Sequence, residues 1–161
     1  MNKQQFYNNR VSPALKAMAN FGNYNTLAAR RLMIVTAEVE SNCGYKIKQE
    51  GGPAESEYQV EPPTLASVLF EWDAYVDNKE FATLIDSFAC QFDIDNNMLN
   101  SPLYATAIAR GWYAMDKEPL PSYDDKEGMW LYYKRVWNTG GGATTKDKFD
   151  SAWENTAHVK L

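Results

Sequence analysis

The chain has 161 residues, 45% of them hydrophobic and 23% charged, with 21 acidic against 16 basic side chains and a net charge of −5. That length suits one globular domain with a sizeable core, and the acidic balance argues against partners recognised by clustered Lys and Arg, so neither nucleic acid nor an anionic membrane is expected. One histidine, His158, and two cysteines leave little room for a histidine triad, a multi-histidine metal centre or a disulfide framework, and carboxylates remain for acid–base work.

No apolar run approaches the ~20 residues needed to cross a bilayer, so no membrane insertion is expected. The N-terminus lacks the apolar core of a secretory signal, and export would need help. Cys43 and Cys90 either pair or stay free, and free thiols are the preferred reading.

Residues 1–11 are mostly polar and are expected to form a flexible N-terminal segment, with one domain over 12–161. Ser12-Pro13 reads as an N-cap with proline at the first helical position, starting a helix through Leu15 and Met18 that Asn20-Phe21-Gly22-Asn23 stops. Asn25 or Thr26 caps the next helix. There Ala29, Met33, Ala37 and Glu40 share one face, so Glu40 ends an apolar stripe, a setting that raises a carboxyl pKa. Glu38 points elsewhere, along the line of Leu27, Arg31 and Ile34, with Arg31 as its expected partner.

Glycines 44, 51 and 52 and prolines 53, 62 and 63 break up the stretch from Asn42 to Pro63, which reads as a loop with a small β-hairpin. A helix capped by Thr64 follows, with Leu65, Val68, Leu69 and Trp72 at amphipathic spacing, and another begins near Asn78 with Phe81, Leu84, Ile85 and Phe88. Phe92-Asp93-Ile94-Asp95-Asn96-Asn97 places Asp, Asp and Asn at alternate positions as a calcium loop does. It lacks the glycine and the distal glutamate, and a turn is preferred. Ser101-Pro102 caps a helix with Ala107, Ile108 and Trp112. Asp124 or Asp125 caps one with Met129, Trp130, Tyr133 and Trp137, which Asn138-Thr139-Gly140-Gly141-Gly142 ends, and Thr145 starts a last helix with Phe149, Ala152 and Trp153. The sum is a mainly α domain of about seven helices with a small loop or hairpin region after the helix that ends at Glu40.

Three blocks occur in order: Glu40-Ser41, then Gly52-Pro53-Ala54 with Tyr58-Gln59-Val60-Glu61-Pro62, then Trp137-Asn138-Thr139-Gly140. Together they resemble the soluble lytic transglycosylase branch of the lysozyme-like superfamily, closest in appearance to phage-encoded muralytic or virion-associated proteins. The likeness covers residues 12 to 155. It implies a lysozyme-like domain that cleaves peptidoglycan glycan strands as a transglycosylase or a muramidase, without a cofactor. Glu40 would be the catalytic acid, and Ser41 belongs to the same block. Tyr58 would be an aromatic wall, Gln59 a substrate-holding amide and Asn138 a polar contact or a turn former.

Ser56-Glu57 departs from the pattern, which has glycine and an apolar residue there. Glu57 is either a second catalytic carboxylate, a charge that tunes Glu40, or the mark of a cleft altered for another use. In a hydrolase Glu57, Glu61 or Asp73 would be the partner acid. Of the aromatics Trp112, Tyr113, Trp130, Tyr132, Tyr133 and Trp137, the helical spacing says core first, with one or two reaching the cleft. The resemblance further implies a monomer in a phage virion or the host cytoplasm, acting at the host periplasm or wall and delivered with other virion proteins or through a holin. The rival expectation is a non-catalytic virion or wall-binding protein on the same scaffold, because function resides in the site and not in the fold.

Overall fold

The computed structural model describes residues 1–90, 96–139 and 142–161, and over these the chain is mainly helical. Helix α1 (Lys3–Phe6) runs through a π-helical turn (Tyr7–Val11) into α2 (Ser12–Met18), and a 3-10 turn (Ala19–Phe21) follows. Next come α3 (Leu27–Ser41), α4 (Pro62–Glu71), α5 (Asp73–Val76) and α6 (Lys79–Ser87). The last four are α7 (Asn97–Asn100), α8 (Pro102–Ala114), α9 (Lys126–Val136) and α10 (Lys146–Asn155).

Side chains are buried on nearly every face of α3 and α8, which makes these two helices the centre of the molecule. Helices α9 and α10 cover α3, while α2, α4, α6 and α7 pack on α8. Close approach is possible because α8 is rich in small residues. A Cβ on Gly111 would stand 2.7 Å from Trp72 Cζ3 and 3.2 Å from Val68 Cγ1, so α4 and the residue that ends it use the space a side chain would fill.

Five of the expected caps form. Thr26 accepts from Ala29 N–H at 3.1 Å and Asn78 from Phe81 N–H at 3.0 Å. Ser101, Asp125 and Thr145 accept from the amides of Tyr104, Gly128 and Lys148. Thr64 does not cap α4. That helix starts two residues earlier on Pro62-Pro63, which need no partner for a missing N–H.

The flexible segment expected over residues 1–11 is instead helical and docked. Asn2 and Gln5 close a capping box, and Phe6, Tyr7 and Val11 are buried, three apolar side chains whose spacing through a π turn hides them among polar neighbours. Ser12 consequently caps nothing. Its N–H reaches back five residues to the Tyr7 carbonyl, and the π turn lets the helix take in Pro13, which has no N–H of its own.

The stretch between α3 and α4 holds a weaker structure than a hairpin. Antiparallel bridges join Lys48 to Glu55 and Glu55 to Val60, with no strand among the described residues. Glu55 and Val60 exchange both backbone hydrogen bonds, at 3.0 and 2.7 Å. Cys43 and Cys90 are free thiols. Residues 92–95 of the calcium-loop comparison, and Gly140 and Gly141, lie outside the described residues.

Candidate active site

Helix α3 ends in an abrupt left-handed turn that leaves its last acidic side chain at the edge of the core. Asn42, Cys43 and Gly44 have φ of 53°, 52° and 83°. Asn42 N–H bonds to Glu38 O and Cys43 N–H to Ala37 O, which satisfies carbonyls the helix would otherwise leave unpaired. Ser41 locks this turn to the loop beyond. Its buried hydroxyl lies 2.6 Å from Glu57 O and accepts from Gly44 N–H at 2.8 Å.

Glu40 stands at this turn and lines a cleft of about 390 Å³. Gln59, Val60, Glu61 and Thr64 form one wall, and Trp112, Val136, Trp137, Asn138, Thr139 and Gly142 the other. Tyr133, fully buried beneath the second wall, donates to Glu40 Oε1 at 2.5 Å, and its hydroxyl lies 3.3 Å from Thr144 Oγ1. Burial pushes the Glu40 carboxyl above its ordinary range; the Tyr133 hydrogen bond and the charge of Lys148 act against that rise. A carboxyl held this way stays protonated to higher pH than a free one while facing a polar cleft, which is what a general acid requires.

Of the residues singled out from the sequence, Glu40, Gln59, Glu61, Asn138 and the indoles of Trp112 and Trp137 come together. Gln59 sits at a φ of 50°, and its amide nitrogen donates to Ser56 O at 2.9 Å and Lys46 O at 3.1 Å, leaving its carbonyl as the group to offer a ligand. Asn138 is tied up in its own turn. Its Oδ1 accepts from Lys134 Nζ at 2.6 Å, and Lys134 also reaches Gly142 O at 2.8 Å, so Asn138 shapes the wall as much as it lines it.

Tyr58, Glu57 and Ser41 do not line the cleft. Tyr58 is fully buried with its hydroxyl 3.0 Å from that of Thr106, a core side chain and no aromatic wall. Glu57 is 3% exposed and ion-paired with Arg10 on the N-terminal segment. It is therefore placed for neither a second catalytic role nor tuning of Glu40, whose charged neighbour is Lys148. Ser41 acts as the brace described above. Glu38 also differs from expectation: its partners are Lys3 and Asn155, while Arg31 donates to the carbonyls of Trp153 and Thr156 and stacks on Trp153.

Comparison with protein-family models, curated proteins and solved structures finds no match for this chain. The site must therefore be read from its own chemistry. Two contributors go beyond the sequence reading. Spacing puts Tyr133 in the core, where it is fully buried, and it lies four residues before Trp137, the residue that follows α9; that i, i+4 relation sets it beneath the same wall. Thr64 lines the cleft from the first turn of α4, where the sequence suggested only a cap. Among the described residues, Trp112 and Trp137 are the aromatics that line the cleft, with Trp112 Nε1 fixed on Val136 O at 3.0 Å.

Proposed function

We propose that this protein is a muralytic enzyme of a bacterial virus that cleaves the glycan strand of peptidoglycan by general acid catalysis from Glu40. The observation that carries this reading is one side chain: a carboxyl raised by burial, gripped by Tyr133, at the floor of an open polar cleft with two tryptophans in its wall. Sugar rings suit such a cleft, because their apolar faces stack on indoles while their hydroxyls and acetamido groups bond to amides such as Gln59.

In the chemistry that follows, protonated Glu40 gives its proton to the glycosidic oxygen as the bond to the anomeric carbon breaks and oxocarbenium character develops. The carboxylate so formed then takes the proton of a hydroxyl on the same sugar as that oxygen closes on the anomeric carbon. An anhydro ring results and Glu40 is protonated again. A paired-acid hydrolase would instead need a second carboxylate about 5–9.5 Å away across the substrate. Glu57 is buried outside the cleft, Asp73 is exposed at the start of α5 and does not line the cleft, and Glu61 lines the cleft as an exposed residue. Of these three, Glu61 alone shares the cleft with Glu40, and the single-acid, transglycosylase route is the one proposed because it needs no second carboxylate. The protein would work as a monomer without a cofactor, reaching the wall with the virion or through a holin.

A zymogram on peptidoglycan comparing wild type with Glu40→Gln tests the proposal. Wild type clears the gel and the variant loses at least about 100-fold of the activity, and mass spectra of the released fragments show anhydro ends. Equal clearing by both proteins removes Glu40 from the chemistry, and clearing by neither favours the non-catalytic virion or wall-binding protein.

A further inference from the structure

Two buried carboxylates stand outside the cleft, each two positions ahead of a residue that lines it: Glu38 before Glu40, and Glu57 before Gln59. They are 8% and 3% exposed, and each meets a cation from the N-terminal helical segment. Lys3 Nζ lies 2.5 Å from Glu38 Oε2, and Arg10 Nη1 donates to Glu57 Oε1. Lys3 also bonds the Asn42 side chain at 3.2 Å, at the left-handed turn that ends α3. The Arg10 carbonyl and the Tyr58 hydroxyl share one partner, the hydroxyl of Thr106, at 3.3 and 3.0 Å. Packing around the Arg10–Glu57 pair is tight: a Cβ on Gly44 would stand 3.0 Å from Glu57 Cγ and 3.1 Å from Arg10 Nη1. The far end of the segment is tethered as well, since Gln4 exchanges hydrogen bonds with the backbone of Lys160 at 3.2 and 2.8 Å.

A carboxylate buried without a counter-charge takes up a proton or is driven out to water. Glu57 lies between Ser56 and Gln59, both of which hold positive φ, at 74° and 50°, so displacing its side chain bears on a strained stretch of backbone. We infer that the N-terminal segment is a clamp on the cleft loop, and that Arg10, acting through Glu57, is the positioning residue that sets Gln59 in the cleft wall. The kinetic consequence rests on the proposed glycan-cleaving function; the structural consequence does not.

The experiment compares wild type, Arg10→Met, Arg10→Lys and the double variant Arg10→Met/Glu57→Leu, which replaces the ion pair by an apolar pair. Amide exchange is followed at Glu55 and Val60 in the loop, with Ile108 and Ala109 of α8 as internal reference. In Arg10→Met the loop amides exchange at least about 10-fold faster while α8 is unchanged, and the double variant returns to wild-type protection, with Arg10→Lys between. On peptidoglycan the single variant raises KM with kcat held, and the double variant restores KM. Wild-type protection in Arg10→Met, or a double variant as labile as the single one, overturns the clamp. If Arg10→Met does not fold, protection at Glu55 and Val60 in the double variant decides alone, its presence supporting the clamp and its loss overturning it. Should no protein cleave glycan while exchange follows the expected order, the clamp stands and the proposed function falls.

Discussion

Glu40 shows how one side chain is held between two tendencies. Burial favours its neutral form, and the hydroxyl of Tyr133 favours its charged form. Phe at position 133 removes the second influence without changing the ring, so the carboxyl climbs further. A general acid loses activity as pH rises through its own pKa, and the alkaline limb of the activity profile of Tyr133→Phe therefore moves to higher pH than in wild type. The maximal rate falls about 10-fold, equivalent to about 1.4 kcal/mol, because the acid is no longer held in one orientation. Initial rates on peptidoglycan across pH measure both effects, and a superimposable profile would remove Tyr133 from the mechanism. The Glu57 carboxyl is likewise raised by burial, with Arg10 opposing, but it is buried outside the cleft and so contributes to architecture. Glu40 and Glu57, both raised by burial, thus acquire different roles through what surrounds them.

At the scale of elements, α8 carries the packing. Its alanines at 105, 107 and 109 and its glycine at 111 let α2 and α4 approach where larger residues would hold them off. Gly111→Ala isolates that point. Alanine is the better helix former by about 1 kcal/mol, yet its methyl would meet the ring of Trp72, itself buried, at 2.7 Å. Overpacking of this kind costs about 1–3 kcal/mol and outweighs the propensity gain. The variant should unfold at a lower urea concentration than wild type with an unchanged slope, and a higher midpoint would show that Trp72 can move aside. Helix starts were readable at this scale because a cap bonds to an amide only two or three residues away, as Thr26 does to Ala29. The first helix was not readable: its apolar residues follow a π turn, and periodic reading assumes 3.6 residues per turn.

For the molecule as a whole, a net charge of −5 sets how it meets its proposed substrate. Bacterial walls are anionic, so encounter is opposed at low salt. Screening shortens the reach of that repulsion from about 30 Å at 0.01 M to about 8 Å at 0.15 M ionic strength, and wall binding and clearing should therefore rise over this range. Sedimentation with purified wall at several salt concentrations measures it, and a fall instead would mean that a local basic patch directs binding. By itself the sequence determined the mainly helical class, most of the caps and the place of Glu40 at the end of an apolar stripe, because periodicity and capping act over a few neighbouring residues. Only the tertiary structure decided what those residues face. It set Tyr133 on Glu40 across 93 residues and Arg10 on Glu57 across 47, and it sealed Tyr58 into the core. Such pairings form only once several helices share one interior, and nothing in the local order of side chains specifies them.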